Sequence, residues 1–265
     1  MKKLLIFLFS ILISFNSYGE TKSDYYSNGQ IKSEINYKNG KQDGKITVWY
    51  ENGQKHLEEY YLEDKRHGQR ILWNENGIKL LESHYLNGKK DGHEISWHSN
   101  GQISEDQNYK NDKREGKYIR SGTDGNINEE RNYKNGDIVD HIYFSYHHNG
   151  LINSEQKYIN DKLDGKQTRW FDNGQIESIA YYLKGSKEGS WTSWYKNGNK
   201  FFQGTYKKDN IDGNVMFWKM NGKEDEERKY KNGDLLSNTI YKYYYFTGLL
   251  KSKVTYEDGE CISGC

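Results

Sequence analysis

A tyrosine recurs at Tyr37, Tyr61, Tyr85, Tyr109, Tyr133, Tyr158, Tyr182, Tyr206, Tyr230 and Tyr256, and almost every step is 24 residues. Self-similarity at a fixed period of a few tens of residues marks a solenoid or stacked array, in which each unit contacts mainly its neighbours. Eight residues before each tyrosine stands a glycine: Gly29, Gly53, Gly77, Gly101, Gly125, Gly150, Gly174, Gly198, Gly222 and Gly248. Eight of these ten follow Asn, one follows Asp124 and one follows Thr247. Four residues before the glycine sits an aromatic: Tyr25, Trp49, Trp73, Trp97, Tyr146, Trp170, Trp194, Trp218 and Tyr244, with Ser121 alone breaking the column. Six of the seven tryptophans occupy this position, Trp191 being the exception. A second glycine appears as Gly44, Gly68, Gly92, Gly116, Gly165, Gly189 and Gly213. Four columns in register across ten copies define the unit Gly-x4-Trp-x3-Gly-x7-Tyr.

Asn-Gly between alternating, aromatic-rich segments is a strong hairpin signal, because both residues tolerate positive φ. Lys45-Ile46-Thr47-Val48-Trp49-Tyr50 alternates, Glu51-Asn52-Gly53 turns the chain, and Gln54 to Leu62 runs back. A second polar turn at Glu63 to Gly68 leads into the next copy. No stretch between the glycines carries a 3.6-residue apolar stripe. The expected fold is therefore all-β: an elongated array of stacked antiparallel β-hairpins, about ten 24-residue units in a single twisted sheet. Roughly twenty strands at about 4.8 Å each give an array on the order of 95 Å long, and a sheet of that length must twist.

Composition agrees. The chain is 33% hydrophobic with a mean hydropathy of −1.12, too polar for a deep closed core. Yet 24 tyrosines and seven tryptophans are far more aromatics than a disordered chain holds. Aromatics cover one face of a thin sheet where aliphatics would build a thick core. Proline is absent, which suits a long ladder that needs every backbone donor.

Residues 1–19 are of another kind. Lys2 and Lys3 precede an apolar run from Leu4 to Phe15, and Ser17-Tyr18-Gly19 offers small residues at the −3 and −1 positions of a cleavage site. This is the pattern of a secretory signal peptide. It predicts an exported protein of the periplasm, cell surface or exterior, with a repeat array over residues 20–259 and a short cysteine-containing tail at 260–265. Without residues 1–19 the chain holds 37 basic against 38 acidic residues. That balance argues against a nucleic-acid partner, which wants a basic footprint, and offers no dedicated membrane-binding patch. Cys261 and Cys265 are the only cysteines, and an oxidising compartment would favour a small disulfide loop between them.

Chemistry-bearing constellations are scarce. Five residues after the turn glycine stand Glu34, Glu58, Glu82, Asp106, Glu130, Glu155 and Glu227. A repeated position cannot specify one active site, and cross-strand pairing with Lys or Arg is the expected role. The adjacent His147 and His148 point to opposite faces of a strand and lack further ligands, so neither a metal nor a cofactor is expected. No nucleophile or phosphate-loop motif is present, and nothing marks the chain as an enzyme. The residues that define the array are Trp49, Trp73, Trp97, Trp170, Trp194 and Trp218, with Tyr61, Tyr85 and Tyr109 and the turn glycines Gly53, Gly77 and Gly101. The tryptophan column either packs along the array or offers an aromatic track to sugars and extended peptides. One irregular segment stands out, where Ser121 replaces the aromatic, Asp140-His141 replaces the second glycine, and one step lengthens to 25 residues. A bend or bulge is expected there, and Ser121, Asp140 and His141 are candidate partner contacts.

The motif Trp-x2-Asn-Gly-x7-Tyr-x-Asn-Gly-Lys-x-x-Gly, carried with small variations from Trp73 to Gly92, resembles the MORN-repeat variant. Chains of this variant include the toxin–antitoxin YwqK-type antitoxin components and exported 24-residue-repeat proteins. The resemblance covers about residues 25–259. It implies a curved single layer of β-hairpins that mediates protein or membrane contacts, and it supplies no catalytic residues. The function expected is that of a non-catalytic scaffold binding a protein partner, antitoxin-like or immunity-type; the alternative is a glycan or cell-wall binder using the aromatic column.

Overall fold

The computed structural model describes residues 19–265 and shows 23 strands and no helix among them. The leader assigned to residues 1–19 lies outside the described residues except for Gly19, which opens the first strand. The described residues divide into two compact units, one ending at residue 101 and the other spanning residues 102–265.

In the first unit, β1 (Gly19–Tyr25), β2 (Ile31–Lys38), β3 (Lys41–Trp49), β4 (Lys55–Leu62), β5 (Lys65–Trp73), β6 (Lys79–Leu86) and β7 (Lys89–Trp97) follow one another. Each pairs antiparallel with the next. The second unit opens with β8 (Ile103–Lys110), β9 (Lys113–Arg114), β10 (Gly116–Ser121), β11 (Ile127–Lys134), β12 (Asp137–Tyr146), β13 (Ile152–Ile159), β14 (Lys162–Trp170) and β15 (Ile176–Leu183). It continues with β16 (Ser186–Trp194), β17 (Lys200–Lys207), β18 (Asn210–Ile211), β19 (Gly213–Trp218), β20 (Glu224–Lys231), β21 (Asp234–Tyr243), β22 (Leu250–Glu257) and β23 (Glu260–Ser263). Here too the order is a meander, with β9–β10 and β18–β19 each one strand interrupted at Glu115 and Asp212. The all-β hairpin array expected from the period is the architecture observed.

Two turns alternate. In the wide one, the Tyr50 amide donates to the Gln54 carbonyl at 2.8 Å and the Gly53 amide to the Tyr50 carbonyl at 2.9 Å. Gly53 sits at φ +83°, where a side chain would be strained. The tight one places two successive residues at positive φ, such as Asn39 (53°) and Gly40 (78°), the twist-matched two-residue hairpin turn. Four tight turns manage this without glycine, including Glu63-Asp64 and Lys208-Asp209. Their aspartates compensate: Asp64 Oδ1 accepts the Gln42 amide and Asp209 Oδ1 the Lys187 amide, both at 2.7 Å.

The bulge expected in the irregular segment is general. Register shifts beside the aromatic column at Val48/Trp49, Leu72/Trp73, Arg169/Trp170, Ser193/Trp194 and Phe217/Trp218, and equally at Arg120/Ser121. The strand geometry at Ser121 is thus that of its neighbours without the ring.

Burial follows from the single layer. A side chain near the middle of a strand is covered by the strands on either side, whatever its polarity. Buried apolar residues are few: Ile46 and Ile71 in the first unit, and Tyr118, Tyr133, Ala180, Val215, Tyr241 and Val254 in the second. Beside them Thr47, Glu59, Ser83, Glu94, Gln107, Glu129, His141, Gln167 and Thr168 are equally buried. Such a core holds only where polar chains find partners in adjacent strands.

Candidate interaction surface

The repeat columns are joined from one unit to the next. The residue after the aromatic reaches the carbonyl of the next tryptophan: Tyr26 Oη donates to Trp49 O at 2.7 Å, Tyr50 Oη to Trp73 O at 2.9 Å, and Tyr195 Oη to Trp218 O at 2.9 Å. His147 Nε2 takes that place against Trp170 O at 2.8 Å, so this histidine bridges units. The asparagines of the wide turns do the same. Asn52, Asn149, Asn173 and Asn197 donate Nδ2 to the carbonyls of Glu75, Asp172, Lys196 and Met220, at 2.8, 2.6, 3.1 and 2.8 Å. Asn52 Oδ1 also accepts the Gln54 amide at 3.0 Å. Asparagine is therefore selected both for its turn and for its ladder.

The tyrosine column is a ladder with spacers. Tyr61 pairs across the strands with Arg66, whose guanidinium lies 5.9 Å from the Tyr61 ring and 5.6 Å from that of Tyr85. Arg114, opposite Tyr109, lies 5.4 Å from both Tyr118 and Tyr133. Lys187, opposite Tyr182, stands 4.1 Å from the Trp191 ring and 5.2 Å from Tyr206. Elsewhere Leu163 and Ile211 fill the same position. Cations over aromatic faces gain on the order of 0.5–1 kcal/mol each at such exposed sites. Trp191 has its own explanation. It pairs with Gly204, where a Cβ would meet Phe202 at 3.0 Å and Val215 at 3.1 Å, and its ring packs edge-on to Phe202 at 6.0 Å, so glycine here makes room for the aromatic cluster.

Trp49, Trp73, Trp97, Trp170, Trp194 and Trp218 are all half-buried. Lysines of the preceding hairpins lie over the rings: Lys55 at 5.9 Å from Trp73, Lys79 at 5.5 Å from Trp97, and Lys200 at 5.3 Å from Trp218. Three acids of the sequence column, Glu58, Glu82 and Glu130, pair with neighbouring bases, whereas Glu227 accepts from Asn214 Nδ2 and Tyr241 Oη, both at 3.2 Å. Glu58 holds Lys45 at 3.1 Å and Lys55 at 2.8 Å, Glu82 holds Lys79 at 2.8 Å, and Glu130 holds Lys117 at 2.8 Å. The hydrogen bond from Lys55 draws the Glu58 carboxyl below its usual range, and that from Lys79 does so for Glu82.

A further acid column lies just before the second glycine and is not evident as a function of spacing alone. Glu115, Asp164, Glu188 and Asp212 accept the amides of Asn135, Lys184, Lys208 and Asn232, at 2.7, 3.0, 2.9 and 3.1 Å. Each amide belongs to the first positive-φ residue of the tight turn 20 residues on. The backbone donor from Asn232 lowers the Asp212 pKa.

In the irregular segment, Asp140 binds Asn132 Nδ2 at 2.6 Å and Lys157 at 3.2 Å. His141 is buried, stacked 5.1 Å from Tyr158 and edge-on to Tyr143 at 5.0 Å. An imidazole thus stands, opposite Tyr158, at the strand position that glycine holds opposite the column tyrosine in other units. Ser121 is half-buried. The nearby pair Glu129 and Glu130 divides the work by pleat: Glu130 faces Lys117, while Glu129 is fully buried against Arg131 Nε at 2.6 Å and Arg120 Nη2 at 3.1 Å. Burial, followed by donation to Glu105 at 3.0 Å, pushes the Tyr118 hydroxyl up to about 12. Cys261 and Cys265 are joined as a disulfide, and the tail forms a last strand through Tyr256↔Cys261 and Glu257↔Glu260. Among the described residues no group of three His, Cys, Asp or Glu side chains could hold a metal.

Five segments, residues 21–39, 42–63, 90–111, 163–184 and 187–208, match the family model described as the MORN repeat variant. No curated protein sequence matches the chain. Among solved structures, the crystal structure of TcdB2-TccC3 is 12% identical, with 91% of this chain and 15% of that chain covered and a TM-score of 0.27. A Photorhabdus luminescens Tc holotoxin pore is 9% identical over 91% of this chain and 15% of its own, with a TM-score of 0.22. The chain spans about 15% of the length of the structures it matches.

Proposed function

We propose that this chain, five segments of which match the MORN repeat variant, is a MORN-repeat protein that serves as a non-catalytic scaffold of the bacterial envelope or exterior and binds a protein partner as an immunity-type component. One observation carries the reading: the polar columns of the repeat are engaged from unit to unit, by the Asn, Tyr and acid ladders. A chain whose polar groups repeat in this way presents an extended surface, the form that repeat arrays use for binding. Export, inferred from Lys2, Lys3 and the apolar run to Phe15, places the partner outside the cytosol. A glycan reading draws less support, because lysines lie over Trp73, Trp97 and Trp218.

The test is capture by the full chain from native envelope and culture supernatant, with mass-spectrometric identification. The scaffold reading expects one stoichiometric protein. Recovery of wall material or glycoconjugates alone would overturn it.

A further inference from the structure

The hairpin β21–β22 departs from the others at both ends. Equivalent wide turns carry polar tips such as Glu51-Asn52, Asp172-Asn173 and Lys196-Asn197. This one carries Tyr245 and Phe246, 93% and 95% exposed and packed edge-on to each other at 5.2 Å. The rings do not build the turn. The backbone closes it, with the Tyr244 amide on Leu249 O at 2.9 Å and the Gly248 amide on Tyr244 O at 2.8 Å. Two large rings held in water cost solvation free energy and mark a contact surface.

The opposite end of the same hairpin holds a cavity of about 370 Å³ lined by Leu235, Leu236, Asn238, Ile240, Tyr256 and Asp258. Leu235 and Leu236 are 51% and 44% exposed. Asn238 donates Nδ2 to Glu226 at 2.7 Å, while its Oδ1 is buried without a hydrogen-bond donor. The hairpin is also polarised: its tip half carries Lys242, Lys251 and Lys253 and no acid, and its base carries Asp234, Glu257, Asp258 and Glu260 and no base.

We propose that a second copy of this chain fills the cavity, two β21–β22 hairpins lying antiparallel so that each inserts Tyr245 and Phe246 into the other's base. An antiparallel pair brings the lysine end of each hairpin against the acidic end of its partner copy. It also brings a phenol hydroxyl to the unsatisfied Asn238 Oδ1. Mutual insertion is isologous, so the contact closes at two chains and does not propagate. Four aromatic rings bury on the order of 600–1,000 Å², below stable interfaces and in the range of weak, transient ones. The dimer is accordingly a weak one, formed at micromolar concentration. This assembly stands independently of the partner proposed above.

Sedimentation equilibrium of the full chain tests it. The wild type is expected to rise with concentration from 31.3 kDa toward twice that mass. Phe246→Asp at the tip and Leu236→Asp in the cavity are each expected to weaken self-association at least 10-fold. Mixing these two variants should restore part of it, because the Leu236→Asp copy keeps an intact tip and the Phe246→Asp copy an intact cavity. Such complementation is not a property of misfolded chains. A wild type that stays monomeric, dimerisation untouched by both variants, or failure of the mixture to recover would overturn the proposal. So would Phe246-dependent flotation with anionic vesicles of a monomeric wild type, which would place the rings in lipid.

Discussion

Glu129 offers the sharpest energetic test of a core built in one layer. Its side chain is fully buried, and its carboxylate is held by Arg131 Nε at 2.6 Å, with Arg120 Nη2 at 3.1 Å. Removing one partner of a fully buried ion pair costs about 3–5 kcal/mol, because the remaining charge is left without compensation. Here the arginine side chains are 28% and 51% exposed, so both recover part of their hydration. The loss on Glu129→Ala is therefore expected at about 2–3 kcal/mol, below the fully buried case and above a surface pair at roughly 0–1 kcal/mol. Arg131 also donates to Tyr133 Oη at 3.2 Å, which ties the defect to β11 and its neighbours. Urea unfolding followed by hydrogen exchange in β10–β12 reads both the size and the place of the loss. Glu130→Ala, which removes a pair with a lysine 53% exposed, is the internal control and should cost less than about 1 kcal/mol. A loss below about 0.5 kcal/mol for Glu129→Ala, or equal losses for the two variants, would refute the claim that the pleat sorts these adjacent acids into core and surface.

Two further outcomes follow from the turns and the carboxylates. Gly53 and Gly92 both have positive φ, but an added Cβ at Gly53 meets nothing within 4 Å, while at Gly92 it meets His84 Cβ at 3.1 Å with φ at +115°. Gly53→Ala should cost about 1–2 kcal/mol of backbone strain alone, and Gly92→Ala more, as read by urea midpoints. Glu58, Glu82, Asp209 and Asp212 all have lowered folded pKa values. A lowered value contributes stability that is present above the unfolded pKa and lost as pH falls through the folded one. The melting temperature should hold between about pH 5 and 7 and fall below about pH 4. Asp212→Asn should reduce that acid-side slope, and an unchanged slope would contradict the assignment of Asp212 as a charged acceptor.

The hairpins, their turns and the 24-residue stacking were legible because glycine, asparagine and aromatics enforce them directly through φ and strand alternation. The pairing of Glu58, Glu82 and Glu130 was legible for the same reason, since a fixed offset fixes the neighbour. Glu59, Glu94 and Glu129 were not, because burial in a thin sheet depends on what flanking strands supply, not on hydrophobicity. Nor did the spacing show that Asp164 and Asp212 cap turns 20 residues away, for these contacts join segments that only the stacked sheet makes adjacent. His141 reads as an irregularity in sequence and as a stacked, buried ring in three dimensions. The tip at Tyr245 and Phe246 is not legible in a tyrosine-rich chain, because only the exposure of these two rings distinguishes them.

Each repeat of the array is held by its neighbours. Tyr206 tests this, lying beside Lys187 at 5.2 Å and Trp191 at 5.5 Å. Hydrogen exchange of the full chain with Tyr206→Ala should show protection lost in β15–β19, while β1–β7 exchange at wild-type rates. Equal loss of protection along the whole chain would contradict it, because damage would then spread through one cooperative core.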